Sequence, residues 1–224
     1  LTHWETAKSL GVADRAIFLH GHATGSEPQV LNRKSLGQSE AMAAAYRNAL
    51  AVAGIEAAQV GAADLYSCFP IAVWVAMDAL GMSLHDPRPL TLTGGLPFFG
   101  GPGNNYSTHG IAEMVHWLRA QPEPAYGVVG ANGGYLSKHA VGVYANMPAE
   151  FPEAVPEFKA EKVVEVASEP EPDGVIESYT YQPQKGAARA VIVGRQVSDG
   201  RRWVGVADPE DADLLEWFEK ADPL

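Results

Sequence analysis

The stretch that most strongly suggests a binding or catalytic loop lies between Thr93 and Asn105. Residues 93–103, TGGLPFFGGPG, contain five glycines and two prolines, and the chain then changes to a helical pattern. Such a glycine density marks a place where the backbone needs unusual dihedral angles or a close approach to another group. A loop that leads into a helix N-terminus also presents free N–H groups to an anion or a carbonyl oxygen. We call residues 93–105 the glycine-rich loop and predict a functional loop rather than a packed turn.

Other reactive side chains are sparse. His20 and His22 would share one face of a strand, but no third ligand lies nearby, so no metal site is expected. Cys68 stands beside Phe69, and burial there would leave its thiol inert. Core or hydrogen-bonded roles are expected for His109 and His139, and Arg33 with Lys34 is expected to be a solvated pair rather than a phosphate site.

Composition narrows the class of protein. The chain has 224 residues, 46% of them hydrophobic, and a formal net charge of −11. The charge argues against nucleic acid and anionic membranes as partners. A single cysteine fits a reducing cytoplasm, and no apolar run is long enough to span a bilayer. A cytoplasmic location is therefore expected.

Helices and strands alternate over residues 1–146, which predicts an α/β layer. Thr2 and Glu5 form a potential capping box, Pro70 suits a first helical turn, and Gly54 and Gly81 suit helix ends. The predicted elements are helices at 2–10, 39–53, 70–80 and 105–120, strands at 16–20, 63–67, 127–131 and 139–145, and a polar loop at 22–37.

The chain changes character after residue 146. Residues 147–173 are rich in proline and glutamate and predict a stiff acidic linker. Residues 174–224 predict a small β-rich, OB-like module with three strands and a terminal helix capped by Asp208. A basic, aromatic edge is expected in this module, either to bind a nucleotide portion or a partner chain or to neutralise the linker glutamates: Arg195, Arg201, Arg202 and Trp203.

The order of elements and three loops resembles the C-terminal half of a thiolase-superfamily protein over residues 1–146. The resemblance is closest to sterol-carrier-type thiolases and to the actinobacterial thiolase-like proteins that are called acetyl-CoA acetyltransferases. These thiolase-like proteins carry an extra C-terminal β module, which residues 174–224 resemble. It implies that the half with the nucleophilic cysteine is absent. It also implies that the first, central strand of this half is absent, so that the chain needs its N-terminal half for normal stability.

Two loops can be compared with the family's catalytic motifs. In the YSCF loop, residues 66–69, Tyr66 takes the position that orients a catalytic water or thioester oxygen, and Cys68 takes a position that is normally small. Gly100, Gly101 and Pro102 match a glycine–histidine–proline motif, with Gly101 in place of the histidine.

The third loop is the NGGY loop, residues 132–135. Asn132 takes the place of a second cysteine, and Gly134 matches the glycine two residues later. Asparagine donates a hydrogen bond but does not transfer a proton at neutral pH. Tyr135 and Tyr66 would flank the site, and thiolase-like aldolases use tyrosines where thiolases use histidine and cysteine.

The resemblance implies an acyl-CoA-binding protein of the acetyl-CoA C-acyltransferase type, homodimeric when complete. Its ligand would be a coenzyme A thioester, with no other cofactor and no metal. Candidate catalytic residues are Tyr66, Asn132 and Tyr135. Two alternatives stay open: a non-catalytic acyl-CoA- or partner-binding module, and a tyrosine-based acyl-CoA aldolase.

Overall fold

The computed structural model describes residues 1–150, 153–171, 173–183 and 188–221. They form two compact units, Leu1–Glu27 with Gly37–Ala160 and Pro28–Leu36 with Glu161–Leu224. Phe151, Pro152 and Pro172 of the predicted linker lie outside the described residues, as do residues 184–187 and 222–224 of the predicted β-rich module. Within the described ranges, no helix has the length and apolar character that crossing a bilayer requires.

A continuous mixed sheet organises the first unit, in the order β2-β3-β4-β1-β5. β3 and β1 both pair antiparallel with β4, while β2 is parallel to β3 and β5 to β1. The strands are β1 Phe18–Ser26, β2 Val60–Asp64, β3 Tyr126–Gly133, β4 Lys138–Ala145 and β5 Phe158–Lys159. The sheet confirms the predicted fold class. Because its strands are contiguous, the predicted gap at the centre of the sheet does not exist.

Helices cover both faces of this sheet. Met42 and Tyr46 of α2 pack with Val128 on one face, while Met114 of α5 packs with Val129 on the other. The α-helices of the unit are α1 Trp4–Ser9, α2 Glu40–Ala53, α3 Pro70–Leu80, α4 Leu96–Phe99 and α5 Tyr106–Arg119. Short 3₁₀ segments lie at Ala13–Arg15, Ala57–Gln59 and Gly103–Asn105. Apolar burial on both faces explains why adjacent valines of β3 are both buried.

Local signals were accurate at several helix ends. Ser39 accepts a hydrogen bond from the Met42 N–H at the start of α2, and Pro70 occupies the first turn of α3. Gly54 and Gly81 adopt the left-handed conformation that ends each helix.

Three predicted boundaries were wrong. β1 continues to Ser26, into the predicted polar loop, because it pairs with β4 as far as Lys138. β2 ends at Asp64, before most of the predicted strand at 63–67. The Thr2 capping box does not form, since α1 is preceded by His3, which makes no side-chain cap.

The second unit contains a three-stranded antiparallel sheet, β6 Gly174–Gln182, β7 Arg189–Gln196 and β8 Arg202–Val206. It also contains α6 Ala212–Lys220 and a 3₁₀ segment at Val30–Asn32. Leu215 and Phe218 of α6 pack against the sheet. The helix is capped by Asp211, not Asp208, because Asp208 accepts from the Glu210 N–H in the preceding turn.

The predicted basic edge of this unit is partly buried. Arg202 is 1% exposed and donates to Glu177 and to the carbonyl oxygens of Leu31 and Arg33. Arg195 also pairs with Glu177, which lies on β6 rather than in the predicted linker. Arg33 is itself buried, so the prediction that it is solvated was wrong.

Candidate active site

The carboxyl ends of β2 and β3 point to the same edge of the sheet, because the two strands are parallel; Asp64 at the end of β2 pairs with Val129, and β3 continues to Gly133. In an α/β sheet such ends form the edge at which ligands bind. The YSCF loop follows β2, and the NGGY loop includes the last two residues of β3, Asn132 and Gly133, and the two residues after them. The structure therefore places two of the three predicted loops at one edge of the sheet.

Asp64 supports the start of the glycine-rich loop. Its side chain is fully buried, and Oδ2 accepts hydrogen bonds from the Leu92 N–H at 2.7 Å, the Thr93 N–H at 3.0 Å and the Thr93 hydroxyl at 3.2 Å. Oδ1 has no hydrogen-bond partner in the described part of the chain. Sequence reasoning missed Asp64. A signal was available, because aspartates are rarely buried and this one ends an apolar strand.

The YSCF loop and the glycine-rich loop are hydrogen-bonded to each other. The Leu96 N–H donates to Ser67 Oγ at 2.9 Å. Ser67 Oγ also lies 3.4 Å from the Tyr106 hydroxyl, which lies 2.6 Å from the Thr93 hydroxyl. Burial raises the pKa of the Tyr106 phenol, so this phenol is neutral at physiological pH. The Tyr66 ring packs edge-on against Tyr106 at 5.3 Å between centroids.

Gly101 has no side chain at the position where the family motif has a histidine. It is exposed, has a φ of +60°, and a Cβ placed there would meet nothing within 4 Å. Gly100 is also left-handed, with a φ of +98°. His109 of α5 lies 3.1 Å from the Asn105 amide nitrogen and packs against the Phe99 ring, as a hydrogen-bonded helix histidine would.

Asn132 of the NGGY loop contacts a buried histidine. Its Oδ1 lies 3.0 Å from Nδ1 of His139, and Nε2 of His139 lies 3.1 Å from Ser39 Oγ. Ser39 in turn donates to Glu27 at 2.7 Å. His139 is only 4% exposed, so the expected core histidine is confirmed, but its link to a candidate site residue was not predicted.

The remaining candidates are at the surface or elsewhere. Cys68 is exposed, so its predicted burial was wrong, and Tyr135 is 85% exposed. His20 contacts the carbonyl oxygen of Met147 at 2.9 Å. Among the residues described, no cluster of histidine, cysteine or acidic side chains could hold a metal ion.

A cavity of about 260 Å³ lies away from these loops. It lies beside the second half of α3 and the turn that follows, where it is lined by Trp74, Met77, Asp78, Met82, Ser83 and Leu84. The YSCF loop precedes the first turn of α3. We therefore do not assign this cavity to the candidate site.

Comparisons with known proteins agree with this architecture. The model of a family described as the thiolase-like protein type 1 additional C-terminal domain matches residues 152–222. The chain is similar to the crystal structure of a monomeric SCP2-thiolase like protein type 1 (STLP1) from Mycobacterium smegmatis, with 41% identity and a TM-score of 0.88. That match covers 98% of this chain and 50% of that one, so the chain spans about half the length of this relative.

A weaker likeness is to the peroxisomal 3-ketoacyl-CoA thiolase of Saccharomyces cerevisiae, with 16% identity and a TM-score of 0.42 over 55% of this chain and 32% of that one. A search of curated protein sequences found no match.

The mixed sheet with helices on both faces, together with a separate three-stranded module, defines a thiolase-like α/β protein. The family match covers most of the second unit, and the similarity to STLP1 extends across both. The chain belongs to the thiolase superfamily.

Proposed function

We propose that this chain binds a coenzyme A thioester at the edge formed by the YSCF, glycine-rich and NGGY loops. The observation that carries the proposal is Asn132, whose amide lies at the carboxyl end of β3 and is held by the buried His139. An amide held in this way can donate a hydrogen bond to a carbonyl oxygen without first losing side-chain freedom.

The chain's own residues favour binding over proton transfer. Gly101 offers no side chain where a histidine would act, and the Asn132 amide cannot act as a general acid or base at neutral pH. Carbon–carbon bond chemistry on a thioester needs a base as well as hydrogen-bond donors. An acyltransferase of the acetyl-CoA C-acyltransferase type would therefore take its nucleophile and base from residues other than these two.

Calorimetric titration of acetyl-CoA into the 224-residue protein tests the proposal. We expect saturable binding, and Asn132→Ala should weaken it about tenfold, the loss of roughly 1.4 kcal/mol expected for one such hydrogen bond. Asn48→Ala, in the C-terminal half of α2, is the matched control and should bind like the wild type. No binding by the wild type, or equal binding by Asn132→Ala, would contradict the proposal.

An assay of acetoacetyl-CoA thiolysis separates binding from catalysis. The 224-residue chain should bind without turnover, because the residues at the two matched acid/base positions cannot move protons. Turnover that disappears in Tyr66→Phe or Tyr135→Phe would instead favour tyrosine-based chemistry.

A further inference from the structure

The two ends of the glycine-rich loop meet at a contact between two hydroxyl groups. Thr93 is the first residue of the loop, and Tyr106, which directly follows Asn105, begins α5. The two residues are 13 positions apart in sequence, and their hydroxyl oxygens lie 2.6 Å apart, a hydrogen-bond distance whichever of the two donates. A compact surface loop whose ends are close in this way is closed at its base.

Tyr106 also contacts the YSCF loop. Its hydroxyl lies 3.4 Å from Ser67 Oγ, the atom that accepts the Leu96 N–H. Its ring packs edge-on against Tyr66, a candidate catalytic residue, and against Phe99 at the end of α4, with 5.9 Å between the last two ring centroids. The side chain is fully buried, although it stands at the start of a helix. Tyr106 therefore joins the two loops through both its ring and its hydroxyl.

This connection holds a segment with unusual backbone freedom. Five glycines of the loop have a positive φ: Gly94, Gly95, Gly100, Gly101 and Gly103. At four of these positions an added Cβ would meet no atom within 4 Å, whereas at Gly95 it would lie 3.3 Å from Ser67 Oγ. Glycine loses more conformational entropy on ordering than any other residue. We therefore expect the order of the loop to come from contacts at its base rather than from packing along its length.

We propose that Tyr106 is a positioning residue, which closes the glycine-rich loop at its base and fixes it against the YSCF loop before a ligand binds. A loop that is ordered beforehand binds more tightly, because its conformational entropy is not lost on binding. The inference rests on the proposed function for the identity of the ligand, but not for the connection between the two loops.

Tyr106→Phe removes the connecting hydroxyl and leaves the neighbouring groups with other partners. The phenylalanine ring keeps the aromatic contacts of the tyrosine. Ser67 still accepts the Leu96 N–H, and the Thr93 hydroxyl still donates to Asp64 Oδ2. Since the loss of a hydrogen bond is most damaging where it leaves a buried group unpaired, this variant should fold.

Backbone ¹⁵N relaxation of the 224-residue protein without ligand tests the connection. We expect the five loop glycines of the wild type to have order parameters near about 0.85, as rigid backbone does, and those of Tyr106→Phe to fall toward about 0.6. The order parameters of β3 should not change. Because relaxation reports motion within the native state, a general loss of stability would not produce this local effect.

Two further comparisons separate the hydroxyl contact from the removal of any phenol. Tyr144 on β4 pairs with Gly127, at the opposite end of β3 from the NGGY loop, so Tyr144→Phe is the matched control and should leave the loop rigid. Thr93→Ser keeps a hydroxyl and should behave like the wild type, whereas Thr93→Val should loosen the loop. Tyr106→Phe should then add little in the Thr93→Val background.

Loop glycines that are already mobile in the wild type, or that stay rigid in Tyr106→Phe, would overturn the inference. Calorimetric titration of acetyl-CoA supplies the second measurement, in which Tyr106→Phe should lower the affinity about tenfold and Tyr144→Phe should not. Equal affinity of Tyr106→Phe and the wild type would refute the positioning role. If the loop loosens in Tyr106→Phe but acetyl-CoA binds to neither protein, the proposed function fails and the connection between the loops stands.

Discussion

Asp64 in the first unit and Glu177 in the second are both carboxylates at the centre of a polar cluster, but different groups stabilise them. Glu177 is paired with two guanidinium groups, those of Arg195 and Arg202. Asp64 accepts from the uncharged donors of Leu92 and Thr93, and one of its oxygens has no hydrogen-bond partner within the described residues.

This difference separates two uses of a carboxyl group at the centre of a polar cluster. In the second unit the charges are balanced, and the cluster ties β6, β7 and β8 to the chain segment around Leu31. In the first unit the Asp64 carboxyl group has no cationic partner among the described residues, and it holds the backbone at the start of a loop at the candidate site. Local departures from full pairing are expected where a protein builds a site rather than a core.

The largest predicted effect is on the second unit. Arg202→Ala leaves Glu177 with one cation and removes the donor to the carbonyl oxygens of Leu31 and Arg33. Removing the buried member of this partly buried pair should cost about 3–5 kcal/mol. Hydrogen exchange of the β6–β8 amides should therefore accelerate strongly, whereas Arg201→Ala, at a more exposed pair with Asp199, should change it little. Equal effects would contradict the comparison.

The second prediction concerns Asp64. Asp64→Ala removes the acceptor of three hydrogen bonds and leaves two loop N–H groups unpaired, which should cost about 3 kcal/mol of unfolding free energy. Urea unfolding measures the loss. The exposed helix residue Asp78 provides the control, because Asp78→Ala should stay within about 0.5 kcal/mol of the wild type. A loss no greater than the control's would show that the loop does not depend on Asp64.

The two units also show which features the sequence can predict and which it cannot. Gly54, Gly81 and Pro70 were assigned correctly because each acts within one or two turns of its own position. The burial of Arg202 was not predictable in this way, because its partner carbonyl in Arg33 is 169 residues away.

The same distinction between local signals and long-range contacts applies to the candidate site. The family resemblance pointed to three loops but not to the groups that hold them. Asp64 accepts from residues 28 and 29 positions away, and His139 contacts Ser39, which is 100 positions away. Side-chain pairing over such distances depends on sheet register, which local propensity does not encode.

Gly110 tests how tightly Asp64 is held. A Cβ at Gly110 would lie 2.8 Å from Asp64 Oδ1 and 3.2 Å from its Cγ, and the hydrogen bonds to Oδ2 resist any shift. Gly110→Ala should therefore destabilise the protein by about 2 kcal/mol despite the better helix propensity of alanine. In the Asp64→Ala background the same change should be neutral or stabilising. Additive effects in this double-mutant cycle would refute the contact.

Acid should weaken the second unit through Glu177. Burial raises the pKa of this carboxyl, but hydrogen bonds from Arg202 and Arg195 outweigh burial and hold the pKa below its ordinary value of 4.5. The unfolded chain then binds more protons, so the stabilisation is present above about pH 4.5 and is lost as the pH falls through the lower, folded value. Hydrogen exchange in β6–β8 should accelerate over this range, and Glu177→Gln should flatten that dependence. An unchanged dependence would assign acid sensitivity to another carboxylate.

Gly101 gives the smallest expected effect and the contrast to Gly110. A Cβ at Gly101 would meet no atom within 4 Å, so the only cost of a side chain there is the left-handed backbone at a φ of +60°. Gly101→Ala should lower the unfolding free energy by about 1 kcal/mol, equally in the wild type and in Asp64→Ala. Gly101→His should cost the same, because space is not limiting. If histidine costs far more than alanine, close packing rather than backbone conformation explains why glycine stands at the histidine position.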